Sequence, residues 1–142
     1  MIQFKINEKP LSVNLAWQGK RFKTPAYKDY EKAMILRMPA SKVDTSQMLR
    51  VEFFFGFSNS ASDLDNPVKL LMDIAQKKYG FDDKNVFELN VRKCLVKKGE
   101  EFIQMGIYQL LPFYANIGLK FNSKLKPRFL FKKVIAGKSP FV

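Results

Sequence analysis

Between residues 49 and 96 the hydrophobic period changes from two to about 3.6 and back to two, and that change restricts the chain to a small set of folds. Leu49 to Phe57 (LRVEFFFGF) puts Val51, Phe53, Phe55 and Phe57 on one face and reads as a strand. Ser58 to Ser62 is a small polar turn. From Pro67 to about Tyr79 apolar residues recur at helical spacing through Val68, Leu71, Met72 and Ala75, with Gly80 suited to a left-handed cap. Lys69, Asp73 and Gln76 fall off that face. Val86 to Val96 then reads as a second long strand.

The flanks complete the pattern. Ile2 to Ile6 alternates apolar and polar residues, as a short strand does. Thr24 is an N-cap ahead of Pro25 and opens a helix through about Met38. Phe102 to Leu110 is a further strand, and Lys97-Lys98-Gly99-Glu100 before it has the composition of a hairpin turn. Residues 10–25 and 39–47 read as loops, the first rich in basic and aromatic side chains. The expected fold is α+β, in the order β-α-β-α-β-β, a mixed sheet with helices packed on it.

Charge and residue types narrow the chemistry. The chain of 142 residues fits one domain, and 46% hydrophobic residues suffice for a core. The balance of 25 Lys and Arg against 13 Asp and Glu leaves +12, which favours a polyanionic partner, nucleic acid ahead of an acidic membrane. With no histidine, His general bases, Ser-His and Cys-His nucleophiles and His-ligated zinc are excluded. Cys94 is the single cysteine, so there is no internal disulfide and no cysteine metal cage. The first residues lack an apolar signal core and no run reaches transmembrane length, so the expectation is a soluble protein of the cytoplasm. After Leu110 the composition shifts: residues 111–142 form a basic, aromatic-rich extension with seven basic residues and no acid. That extension suits a nucleic-acid strand, or else packing on the body spanning residues 1–110.

The chemistry-bearing stretch is DLDNPVKLLMDIAQKKYGFDD, residues 63–83. Asp63 and Asp65 stand one residue apart, and in an extended segment they point to the same side, within reach of one ion. Lys69 lies in the first helical turn, where the helix dipole disfavours a cation, which suggests another task such as holding a phosphate. Asp82 and Asp83 follow the helix. Two carboxylates with phosphate and water suit Mg²⁺. The alternative is ordinary: Asp65 or Asn66 capping the helix, and Asp82-Asp83 a solvated turn.

These residues resemble the motif of the RusA family of crossover junction endodeoxyribonucleases, the Holliday junction resolvases of bacteria and their phages. The pattern D-x-D-N-x-x-K-x-x-x-D, then a glycine and D-D, is met by Asp63, Asp65, Asn66, Lys69, Asp73, Gly80, Asp82 and Asp83, with Val86 beyond. The stretches Pro10 to Asn14 and Trp17 to Thr24 also look like the family's. The resemblance covers residues 2–110 and departs in one respect, since only Phe81 separates Gly80 from the D-D pair.

The resemblance implies a RusA-like homodimer that nicks four-way DNA junctions symmetrically with Mg²⁺ or Mn²⁺, in a bacterial host cell. It makes Asp63, Asp65 and Asp83 the metal ligands, with Asp82 the alternative to Asp83. Lys69 becomes the essential catalytic lysine, and Asn66, Asp73 and Asp82 take supporting positions. Lys20, Arg21 and Lys23 of the first loop, with Lys97 and Lys98 of the turn, are the candidate DNA contacts. Two alternatives stand beside this reading: a non-catalytic binder of DNA structures, and a nuclease for flaps or other branched DNA.

Overall fold

Strand β4 (Leu49–Phe57) is the most apolar strand of the chain and takes the centre of the sheet, where both of its edges are paired. The computed structural model of the chain describes residues 1–19 and 22–110. The extension over 111–142 therefore lies outside the described residues, as do Lys20 and Arg21. The major elements are β1 (Ile2–Ile6), α1 (Pro25–Arg37), β4, α2 (Val68–Tyr79), β5 (Val86–Leu95) and β6 (Phe102–Gln109). Their order is the expected β-α-β-α-β-β, and the class is α+β with a mixed sheet.

The sheet runs β1-β6-β4-β5. β5 lies parallel to β4, with Val51 opposite Leu89 and Phe55 opposite Lys93, while β6 lies antiparallel to β4 on its other side. β1 pairs antiparallel with β6. The hairpin expected across Lys97–Glu100 does not form, because β4 stands between β5 and β6. Gly99 does adopt a positive φ of 94° in a tight turn, so the turn forms as expected and the strand pairing does not. Helix α2 carries the chain back along the sheet, which sets β5 parallel to β4.

Helices and core occupy one face. Val51, Phe53, Phe55 and Phe57 of β4 pack with Ile103, Met105 and Ile107 of β6 and with Tyr27 and Met34 of α1. Leu70, Leu71, Ile74 and Ala75 of α2 complete this core. Val68, expected among the buried residues, is only half-buried, and the buried arc of α2 extends further round to Leu70, Ile74 and Tyr79. The reason is that α2 packs on the sheet and on α1 together. Tyr79 donates its hydroxyl to the Pro39 carbonyl (3.1 Å), and Lys78 Nζ donates to the Ile35 carbonyl in the last turn of α1 (2.9 Å).

The other face carries cations over rings: Lys5 over Phe102 (4.0 Å), Arg50 over Tyr108 (4.6 Å) and Arg92 over Phe54 (5.3 Å). Position 56, opposite Phe102 on this face, is a glycine because a Cβ there would meet Phe102 Cε1 at 2.5 Å.

Residues 10–25 are more ordered than a loop. A short 3₁₀ turn (Val13–Leu15) leads to a small antiparallel pair, β2 (Trp17–Gln18) with β3 (Phe22–Lys23). Its anchor is the expected cap: Thr24 accepts the Tyr27 amide (3.1 Å) and donates its hydroxyl to the Leu15 carbonyl (2.8 Å). Two-residue strands have no readable period, so this pair left no trace in the sequence pattern. Among the described residues no helix is long and apolar enough to cross a membrane.

Candidate active site

β4 ends at Phe57, and the chain reaches α2 through turns rather than through extended backbone. Asp63 and Asp65 therefore do not share a side by strand alternation, as the spacing suggested. A different set of contacts fixes them. The Asn59 carboxamide accepts the Ala61 amide (2.9 Å), and the Asn59 carbonyl accepts the Ser62 amide (3.2 Å). Lys93 Nζ then donates to the Ser62 carbonyl (2.7 Å), which ties the loop to the C-terminal part of β5. Leu64 packs against the core and Pro67 is fully buried, so the residues between them are left at the surface.

Asp63 is exposed and accepts a hydrogen bond from Asn66 Nδ2 at 3.0 Å. Asp65 is also exposed, and its backbone carbonyl accepts the Val68 amide (3.0 Å) to begin α2. The residue at the N-cap of α2 is Pro67, with no side-chain capping bond. Neither Asp65 nor Asn66 therefore uses its side chain as a cap. Both carboxylates stand just ahead of the positive end of a 12-residue helix.

Lys69 is paired along its own helix. Its ammonium pairs with Asp73 Oδ1 at 2.8 Å, one turn along the helix. Its pKa is raised, chiefly by the hydrogen bond to Asp73; partial burial opposes this, and the charges of Asp73 and Asp83 add to the rise. The cost of a cation in the first turn is thus offset locally.

Beyond Gly80, whose φ of 74° supplies the expected left-handed cap, the two aspartates divide their work. Asp82 caps a 3₁₀ turn (Asp83–Asn85): one oxygen accepts the Lys84 amide (3.0 Å) and the other pairs with the Lys84 ammonium (3.1 Å). Those bonds hold its carboxyl below the usual range. Asp83 is exposed and is the member of the pair not committed to that cap.

An ion fits the first two aspartates better than it fits all three. Mg²⁺ is commonly held by one or two carboxylates with water and substrate phosphate, and the exposed Asp63 and Asp65 offer that donor set. A helix of 12 residues is about 18 Å long, and Asp83 lies past its far end. Among the described residues no group of three or more acidic or cysteine side chains converges on one point.

The candidate DNA contacts also differ from one another. Lys97 and Lys98 are exposed in the turn after β5. Lys23 is turned inward, with its Nζ 2.9 Å from Glu31 Oε1 and 4.8 Å from the centre of the Tyr27 ring. Glu31 itself is a residue the sequence pattern did not single out. It is 8% exposed and also pairs with Lys77 of α2 (3.4 Å). Also unread in the sequence is a cavity of about 550 Å³ beside Asp63, walled by Lys9, Leu11, Tyr30, Phe57 and Asn59. The segments that line it are far apart in the chain, so only the fold brings them together.

No model of a known protein family matches this chain, and no curated protein matches it.

Proposed function

We propose that the chain is a RusA-type, metal-dependent endonuclease that nicks branched DNA, four-way junctions foremost, as a homodimer in the cytoplasm of a bacterial host cell. The observation that carries this reading is the Asp63–Asp65 pair. Two exposed carboxylates next to each other on a chain of +12 are costly for a DNA-facing surface unless a cation comes between them and the phosphate. They are not used as helix caps, and Asn66 orients one of them.

On this reading Asp63 and Asp65 are the residues that would hold Mg²⁺ or Mn²⁺. When bound, the ion supplies Lewis acidity toward the phosphate and acidifies water. The remaining roles belong to the protein. Asn66 holds the Asp63 carboxylate in one orientation. Lys69 donates N–H groups to a phosphate oxygen as negative charge grows there, and Asp73 sets the position of its ammonium. Asp73 first, with the charge of Asp83 adding to it, favours the ammonium form of Lys69. Lys97, Lys98, Lys20 and Arg21 meet backbone phosphates.

A second reading, a non-catalytic binder of branched DNA, is favoured by the separation of Asp83 from Asp63 and Asp65 within one chain. One assay separates the two. A labelled synthetic four-way junction, with a flap substrate beside it, is incubated with the wild type and Asp65→Asn, with and without Mg²⁺. The endonuclease reading expects paired nicks that need both the metal and Asp65, with junction binding retained in the variant. Binding without nicking in the wild type establishes the second reading. Flap cleavage alone changes the substrate. Undiminished nicking by Asp65→Asn removes the metal-site assignment.

A further inference from the structure

Strand β5 has a neighbour on one side only among the described residues, since the sheet order ends on it. Its one irregularity against β4 lies at the start, between Leu49 and Arg50. From there Arg50 to Phe57 pair with Glu88 to Leu95 in unbroken register. Apolar side chains nevertheless stay in water along it, with Phe87 63%, Leu89 48% and Leu95 64% exposed. A long, regular, partly apolar edge offers a row of unpaired backbone groups to another strand.

The residues on this edge select which strand. Around Asn90, β5 reads Glu88-Leu89-Asn90-Val91-Arg92, a pattern complementary to its own reverse. In an antiparallel pair of two copies with the two-fold axis at Asn90, each Glu88 stands opposite the partner's Arg92. Each Leu89 then meets the partner's Val91, and each Phe87 the partner's Lys93. Residues directly opposed in an antiparallel pair share a face, so acid meets base and apolar meets apolar, while the Lys93 ammonium stays on the Ser62 carbonyl of its own chain. Moving the axis one residue along, to Val91, would set Glu88 opposite Cys94 and Arg92 opposite Asn90, and both ion pairs would be lost. Arg92 rests on the Phe54 ring from the sheet side yet remains exposed, which leaves its donors available.

We propose that two copies of this chain join edge to edge through β5, antiparallel and centred on Asn90. Two four-stranded sheets then become one continuous sheet, β1-β6-β4-β5 followed by its mirror order. The contact is isologous and closes on itself, because each copy uses its only β5 edge. The proposal gives a specific surface to the dimer of the proposed function and rests on that reading only for the dimer's purpose.

Sedimentation velocity on the full chain, without DNA or metal, tests it. The wild type is expected to sediment as a dimer. Glu88→Arg and Arg92→Glu each replace two attractive pairs with two repulsive ones and should weaken association roughly tenfold or more. An equimolar mixture of the two variants should recover a dimer, since every opposed pair is again acid against base. No role within a single chain yields that recovery. A monomeric wild type, a dimer that persists in either variant, or a mixture that stays monomeric overturns the proposal. If either variant melts below the wild type, Asn90→Lys decides: it sets like charges on the axis from an exposed position, and a dimer that survives it overturns the proposal. The readout involves no nuclease activity. A dimer built on β5 that leaves junctions intact would therefore refute the functional reading and leave this one standing.

Discussion

Replacing Glu31 by Gln tests a nearly buried ionic centre of this fold. Glu31 sits on α1 and accepts Lys23 of β3 at 2.9 Å and Lys77 of α2 at 3.4 Å, so one carboxylate joins three elements. Burial alone would raise its pKa. The hydrogen bond and charge of Lys23, followed by those of Lys77, outweigh that, and the carboxyl lies below its ordinary value. A hydrogen bond to a charged group contributes roughly 1.5–3 kcal/mol. Discounting is needed because the lysine side chains are 33% and 60% exposed and can turn to water when their partner is lost. A loss of about 1–2 kcal/mol at neutral pH is expected for Glu31→Gln, or roughly 3–6 °C in melting temperature for a chain of this size. The pH dependence follows from the direction of the shift. A carboxyl with a lowered folded-state pKa contributes its stability above the unfolded value, about pH 4.3, and loses it as pH falls through the folded value. Wild type and variant should therefore differ in urea unfolding at pH 7 and differ less at pH 3. A difference of equal size at both pH values, or none at pH 7, would show that the charge of Glu31 plays no part and that only its shape matters.

Two further outcomes are expected. Lys69→Ala should cut junction turnover by roughly a hundredfold while unfolding within about 0.5 kcal/mol of the wild type, because it removes only an exposed pair one turn apart; normal cleavage by a folded variant would make the lysine a mere partner of Asp73. Lys97→Ala with Lys98→Ala should flatten the slope of log K against log salt for junction binding by about 1–2, whereas Lys23→Ala should leave that slope unchanged and lower the melting temperature instead; the opposite pattern would reverse the assignment of inward and outward cations.

The elements with strong local signals are legible in the amino-acid order alone. Thr24 with Pro25 sets the start of α1, Gly80 the end of α2, and the alternation of Val51, Phe53, Phe55 and Phe57 the buried face of β4, each of them a short-range steric or hydrogen-bonding preference. The candidate site is legible as a spacing: Asp63, Asp65 and Lys69 lie within seven residues, so their neighbourhood follows from the chain itself. What each side chain does is not. Lys69 turns to Asp73, Asp82 to its own turn and Lys23 to Glu31, because each cation or anion takes the nearest opposite charge that packing supplies. Strand order is beyond the sequence for the same reason. The turn at Gly99 permits a hairpin, but pairing is a contest among all strands for edges. β4, apolar along its whole core-facing side, takes the centre and separates β5 from β6. Local preference decides where an element begins and ends, and long-range burial decides what lies beside it.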